Sequence, residues 1–369
     1  MVLWETSKGA KVPFEPGPVV RMYTCGITPY DAAHLGHAAT YLIYDVLQRR
    51  LRDRGHLTRC VRNVTDVDDD ILRRARELGV HFLDLAAEEM SHFDADMTAL
   101  GLLPAWSEPR ATSAIPDILG FIGEAVEKGY AYQAGGSVYF SVDHFERFGQ
   151  VSNLDKKTML ELAADRGGHP EDPNKSNPLD FVLWQPSEAG EPAWESRWGQ
   201  GRPGWHIECS ALALRELGTT VDLHGGGSDL IFPHHECEAA QSEAVTGERF
   251  VKHWMHVGMV RLDGEKMSKS LGNLVFVRDL IKEWEPAVVR LAVLSHHYRE
   301  SWDFRPELLA EAEERLSLWR STGHGEGALQ EARAALDDDL DTPRCLGVID
   351  EAASAGQGVS KSAALLGVF

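Results

Sequence analysis

The chain has 369 residues, 43% apolar and 25% charged, a composition that excludes a disordered or fibrous protein and allows two or three structural units. Its formal net charge of −20, from 37 basic and 57 acidic residues, argues against a polynucleotide partner, because phosphate binding draws on clustered positive charge. No run of about 18 apolar residues occurs and the N-terminus lacks the regions of a signal peptide, so no membrane span is expected and the cytoplasm is the expected location.

In chain order, Val19 to Cys25 predicts a short strand, followed by a turn-rich loop, Gly26-Ile27-Thr28-Pro29-Tyr30-Asp31. A helix is expected from about His34 to Arg52, with Tyr41, Ile43, Val46, Leu47 and Leu51 on its apolar side. Arg49, Arg50 and Arg52 suit its C-terminal end, where the helix dipole favours cations. Leu57 to Val64 predicts the next strand, so this βαβ unit implies a parallel sheet. Helical patterning dominates from about Asp68 to Lys128, and Val138 to Val142 predicts a strand. Residues 167–204 are rich in Gly, Pro, Asn and Asp and are expected to be loops of an inserted segment. Alternation resumes with a helix from about Ile207 to Leu217, a strand at Val221 to His224, a helix from near His234 and a strand leading to Val260. From Pro286 onward the pattern is helical.

The five cysteines, Cys25, Cys60, Cys209, Cys237 and Cys345, are scattered and odd in number, so no disulfide framework is expected. Some of them suit buried apolar packing, and one or two suit metal ligation.

Two short motifs carry chemistry. His34-Leu35-Gly36-His37 opens a helix, where unpaired backbone N–H groups and the helix dipole favour a phosphate. His34 and His37 share one face of the first turn, and Gly36 lets a flat nucleotide approach the backbone. Lys266-Met267-Ser268-Lys269-Ser270, between Gly264 and Gly272, places two ammonium groups on a loop suited to clamp a polyphosphate while pyrophosphate departs. Each motif alone could be a pair of capping histidines or a solvated basic turn. Together and in this order, they resemble the class I aminoacyl-tRNA synthetase superfamily.

The resemblance narrows with Tyr23-Thr24-Cys25-Gly26, with Asn63-Val64-Thr65-Asp66-Val67-Asp68-Asp69, with Gly204-Trp205-His206-Ile207-Glu208-Cys209-Ser210 and with the stretch from Gly225 to Glu236. These are similar to the cysteinyl-tRNA synthetase family, up to about Asp303. The resemblance implies one zinc ion per chain on Cys25, Cys209 and His234, with Glu238 as a possible fourth ligand. It also implies an adenylate site lined by Cys25, Gly26, Ile27, Thr28, Thr40, Asn63, Val64, Thr65, Trp205, Gly227, Ser228, Asp229 and Val260, with Mg²⁺ accompanying ATP. The implied fold is α/β: a class I synthetase, Rossmann-like parallel sheet split by an inserted segment and followed by a C-terminal helical bundle. The expected division is 1–90 with 204–275 as the split catalytic domain, 91–203 as the insertion and 276–369 as the helical region.

Two readings share this fold. One is a cysteinyl-tRNA synthetase. The other, which we favour, is the related mycothiol-pathway ligase family, which joins activated L-cysteine to the amine of glucosaminyl-inositol. The stretch from Gly26 to Tyr41 resembles the ligase form, with Ala39 where the synthetases carry an arginine. Asp165-Arg166-Gly167-Gly168-His169-Pro170 resembles the Glu-Arg-Gly-Gly-Asp-Pro region of the ligases, departing at Asp165 and His169. The chain also ends soon after the helical segment, where the synthetases add an anticodon-recognising domain. The expected partners are ATP, L-cysteine and glucosaminyl-inositol, with no tRNA and no membrane, in a monomer. A non-catalytic cysteine or nucleotide sensor is the alternative of another class, and intact motifs argue against it. Asp66, Asp68, Asp69 and Asp70 are read as a solvated helix start, with contact to a cationic amine as the alternative.

Overall fold

The structure, a computed structural model, describes residues 1–30, 32–267 and 271–369. Lys269 of the basic loop lies outside the described residues.

The central sheet has four parallel strands in the order Trp254–Val257, Leu223–Gly227, Val19–Ile27, Leu57–Val64. The second of these in sequence, Leu57–Val64, coincides with the expected strand, and Val19–Ile27 runs two residues further than expected. The helix between them spans Leu35–Asp53. His34 caps it: its Nδ1 accepts from the Gly36 N–H at 3.1 Å, satisfying a backbone donor that a helix start leaves unpaired. Ala38, Leu42, Val46, Leu47 and Leu51 are buried, so the apolar stripe faces the sheet and the C-terminal helices.

The chain leaves Val19–Ile27 on one side and returns to its other side through Leu223–Gly227. In an open parallel sheet, such a reversal opens a crevice at the carboxyl ends of the strands. Cys25, Asn63 and Gly227 all lie at those ends.

Between the two halves lie the helices Asp69–Leu78, Phe82–Ala99 and Ile115–Glu127, followed by an antiparallel sheet. Its strands are Ala131–Ala134, Ser137–Phe140, Phe181–Gln185 and Arg202–Pro203. The last two fall in residues 167–204, which the sequence reading assigned to loops. The turn residues there are real, but they flank a strand whose Phe181, Leu183 and Trp184 side chains pack into the core. The helices Trp205–Leu217 and Glu236–Thr246 then flank the second half of the central sheet. Six helices complete the chain from Val277 onward, interrupted by Trp302–Asp303, which pairs with Val260–Leu262. They share one core with the Leu35–Asp53 helix. The Arg290 guanidinium sits in that core, bonded to the Asp45 carboxylate, the Leu366 carbonyl and the Leu100 carbonyl.

Candidate active site and metal centre

The two motifs meet at the sheet's carboxyl edge. The chain after the basic loop pairs with the start of the first helix: Leu35 N–H donates to the Val275 carbonyl at 2.8 Å, and Val277 N–H to the Ala33 carbonyl at 3.2 Å. His34 and His37 stack with ring centroids 3.8 Å apart. Burial, then the charges of His34 and Lys266, push the His37 imidazole well below its ordinary range, so it is neutral at physiological pH. A neutral imidazole beside a helix N-terminus can donate to a phosphate oxygen without carrying charge itself. Lys266 extends from the Glu265–Lys266 strand, and its Nζ lies 2.8 Å from Asp229 Oδ2. The Arg166 guanidinium bonds the carbonyls of Asp229 and Phe232, fastening the insertion to this segment.

The first metal-ligand positions converge as well. Cys25, Cys209, His234 and Glu238 are buried, with one ligand atom from each within 4.8 Å of the others. Strand Val19–Ile27 brings Cys25, helix Trp205–Leu217 brings Cys209, and the turn Ile231–His235 leading into helix Glu236–Thr246 brings His234 and Glu238. Cys25 Sγ is 4.0 Å from Cys209 Sγ and 3.5 Å from Glu238 Oε1, which is 3.0 Å from His234 Nε2. The Cys25 contact, more than the cost of burial, brings the Cys209 thiol down to about 6. Burial, then the hydrogen bond to Cys209, pushes the Cys25 thiol up. Burial would raise the Glu238 carboxyl, but His224 and His234 outweigh it and hold it at about 2. Burial would lower His234, and Glu238 and Cys209 outweigh it and lift it to about 10. The chain thus concentrates negative donors where water is excluded, and the set of two thiols, an imidazole and a carboxylate suits zinc.

Three further histidines, His224, His235 and His256, adjoin the same centre. Cys25, His224, His235 and Glu238 form a second group within the same 4.8 Å. His224 Nε2 lies 3.0 Å from Glu238 Oε2, and His235 shares a 2.6 Å hydrogen bond with His256, whose other nitrogen lies 2.7 Å from the Thr6 hydroxyl. The His234-His235 doublet was the one signal available in the sequence; His224 and His256 stand in no spacing that marks a site. The Cys25–Cys209 group has the softer donors, and in it Glu238 is oriented from behind by His224.

Around this centre, Trp205 stacks on His234 with centroids 4.1 Å apart and is 36% exposed, so it faces the crevice rather than the core. Gly26 N–H donates to Asn63 Oδ1 at 2.8 Å, and Asn63 in turn donates to the Thr65 hydroxyl at 3.1 Å. Thr65 N–H donates to the Ile27 carbonyl at 3.0 Å, which joins Ile27, Val64 and Thr65 at one corner. Thr28 donates to Asp68 Oδ2 at 3.2 Å. Thr40 donates to the Gly36 carbonyl at 3.1 Å, within the first helix. A Cβ at Gly227 would lie 2.7 Å from Asp229 Oδ1, so the glycine makes room for that carboxylate beside Ser228. Val260 is 2% exposed. Asp66 and Asp68 are not solvated as expected. Asp66 is fully buried and accepts from Thr112 N–H at 2.9 Å and Thr112 Oγ1 at 2.6 Å. Asp68 caps the Asp69–Leu78 helix by accepting from Ile71 N–H at 3.0 Å.

Known proteins place this geometry in a family. A protein of Streptosporangium roseum, named L-cysteine:1D-myo-inositol 2-amino-2-deoxy-alpha-D-glucopyranoside ligase, is 47% identical over 99% of this chain and 92% of its own. A protein of the same name from Streptomyces griseus subsp. griseus is 50% identical over 94% of this chain and 87% of its own. The chain belongs to this ligase family. Residues 12–314 of the ligase-family chain also match the tRNA synthetases class I (C) catalytic domain. Among solved structures, Mycobacterium tuberculosis methionyl-tRNA synthetase in complex with methionyl-adenylate superposes with a TM-score of 0.69 at 16% identity, covering 92% of this chain and 82% of that one. The ternary complex of Agrobacterium radiobacter K84 agnB2 LeuRS with tRNA and LeuAMS gives 0.62 at 11% identity, covering 96% and 83%. At these identities the likeness establishes the fold, which is that of the class I synthetases, and the ligase family is established by sequence.

Proposed function

We propose that this protein uses ATP to join L-cysteine, through a cysteinyl-adenylate, to the amine of 1D-myo-inositol 2-amino-2-deoxy-α-D-glucopyranoside, releasing AMP and pyrophosphate, as a step of mycothiol biosynthesis. One observation carries the reading: a buried Cys25–Cys209–His234–Glu238 donor group is built on the strand that leads into the histidine-capped helix, whose Tyr41 hydroxyl donates to the Cys25 carbonyl at 3.1 Å.

In the first step the cysteine carboxylate attacks the α-phosphorus of ATP. His34 and His37 bind phosphate oxygens at the helix N-terminus, and Lys266 and Lys269 hold the departing pyrophosphate, with Mg²⁺ accompanying ATP. Asn63, Val64 and Thr65 with Cys25, Gly26, Ile27 and Thr28 form one wall of the adenylate site, and Trp205, Gly227, Ser228 and Asp229 the other. Thr40 also lines it, and Val260 contributes backbone contacts to the adenine. Cys25, Cys209 and His234, with Glu238 as a possible fourth ligand, would hold one zinc ion, which would supply a Lewis acid that favours a thiolate over a hydroxyl or methyl group. In the second step the acceptor amine, once it has lost a proton to Asp229 or a nearby histidine, attacks the adenylate carbonyl and AMP leaves.

We propose further that residues 1–90 with 204–275 act as the catalytic domain around the 91–203 insertion and the 276–369 helices, and that the enzyme works as a cytoplasmic monomer without tRNA. No helix among the described residues is long and apolar enough to cross a membrane.

The test is an acceptor swap. Purified protein with ATP and L-cysteine is given either glucosaminyl-inositol or tRNA, and AMP and product are measured. Amide formation with the amino sugar is expected. A product with tRNA alone would sink the ligase reading, and absence of cysteine-dependent pyrophosphate exchange would sink the enzyme reading.

A further inference from the structure

The Arg166-Gly167-Gly168 motif of the insertion takes no part in either step of the reaction, yet its arginine touches the segment that builds the site. That segment, from Ser228 to His235, carries Asp229, which pairs with Lys266, and His234 of the candidate metal group. Its backbone cannot satisfy itself. In a continuous helix the Asp229 carbonyl would accept from the residue four places on, which is Pro233 and has no N–H. Phe232 leaves helical geometry, with φ −138° and ψ 136°, and the Glu236 N–H donates to the Ile231 and Pro233 carbonyls rather than to that of Phe232. The carbonyls of Asp229 and Phe232 are the two that Nη1 of the Arg166 guanidinium takes up. A charged donor makes the stronger kind of hydrogen bond to each.

The insertion is shaped to deliver this group. Its helix Lys156–Asp165 packs on the Ile231–His235 turn, and Arg166 stands at the helix end. Behind it, Gly167 takes a left-handed φ of +76° and Gly168 N–H returns to the Ala163 carbonyl at 2.7 Å. A Cβ at Gly168 would lie 2.8 Å from that carbonyl oxygen, so the turn calls for glycine. The Lys175 ammonium bonds the Gly168 carbonyl and closes the turn. A second tie lies on the other side of His234. The buried Glu236 carboxylate accepts from the N–H groups of Gly149, Val151 and Ser152 at 2.8, 3.1 and 2.8 Å.

We propose that Arg166 is a positioning residue for amino-acid activation. By holding the Asp229 and Phe232 carbonyls on one guanidinium, it fixes the span between His234 and Asp229, and so keeps thiol capture in register with the phosphate-handling Lys266. A displacement of about 1 Å in such a segment can cost roughly 100-fold in rate, because the reacting groups must meet in a narrow geometry. The inference rests on the ligase reading above.

The variants are Arg166→Ala and Arg166→Lys, with melting temperature confirming that both fold. In cysteine-dependent pyrophosphate exchange, Arg166→Ala should lower kcat by roughly 10- to 100-fold and leave the KM for ATP within about two-fold of wild type. Arg166→Lys, which keeps a cationic donor, should fall less. Arg166 is exposed, so millimolar guanidinium can enter the space left in Arg166→Ala and should restore part of kcat. Amide exchange at residues 228–236 should quicken in Arg166→Ala, while the Phe181–Gln185 strand keeps its protection. A wild-type kcat in folded Arg166→Ala overturns the assignment. So does a loss shared by kcat and the KM for ATP that guanidinium does not restore, which marks general damage to the site. If wild type activates no cysteine, the ligase reading falls and hydrogen exchange alone decides whether Arg166 holds the segment: unchanged protection of residues 228–236 overturns that too.

Discussion

Cys209 shows how two neighbouring side chains can serve one site differently. It belongs to the candidate metal group, while Glu208 beside it is fully buried and neither of its carboxylate oxygens has a hydrogen-bond partner. Cys209→Ala should remove bound zinc, measured as metal per chain after gel filtration, while the fold persists by circular dichroism. Full metal content in that variant would take Cys209 out of the centre. Asp68 gives a pH test. Its carboxyl is raised from the ordinary range to about 6, so the folded chain keeps a proton that the unfolded chain releases between about pH 4 and 6. Its contribution to stability is therefore lost as pH rises through that window. Asp68→Asn should flatten the fall by up to about 3 kcal/mol between pH 4 and 7, read from urea denaturation at several pH values. An unchanged slope would mean that Asp68 is hydrated like an ordinary aspartate. The convergence of Cys25, Cys209 and His234 was legible only through the resemblance that the long motifs around them carry. His224 and His256 were not, because only the sheet register brings them to Glu238. The partnerless state of Glu208 is likewise a property of packing.

The elements of the first βαβ unit follow almost directly from pattern. Period-two apolar residues make the strands, and a capped amphipathic run makes the helix. The insertion was less readable because its strands are short and turn residues crowd them. Where two central strands meet, Gly26 is the critical position: a Cβ there would lie 1.5 Å from the Asn63 carbonyl oxygen. Gly26→Ala should force the strand ends apart and lower stability by about 1–3 kcal/mol, measured as a shift in denaturant midpoint at constant slope. A variant with wild-type stability would show that the backbone there relaxes freely. Because Gly26 also bonds Asn63 Oδ1, the same variant should lose cysteine-dependent exchange.

At the scale of the whole molecule, the C-terminal helices join the Leu35–Asp53 helix through Arg290, which is fully buried against Asp45. Arg290→Met should cost about 3–5 kcal/mol, because it strands a buried carboxylate. The double variant with Asp45→Asn should recover part of that loss, and if both are equally unstable the pair is not coupled. This contact was invisible in the sequence: the partners are 245 residues apart, and nothing near Arg290 distinguishes it from a surface arginine.

The donor group has a topological side. Cys25 and Cys209 are 184 residues apart in sequence, and nearly the whole first half of the chain, insertion included, lies on the loop between them. A cation joining the two sulfurs would tie that loop shut, as a covalent cross-link would, and narrow the conformations open to the unfolded chain. Stripping the metal with a chelator should then do more than silence catalysis. It should expose the insertion to limited proteolysis, with new cleavage sites between Ala131 and Arg202 that vanish when zinc is restored. Identical digestion patterns with and without chelator would show that packing alone holds the loop.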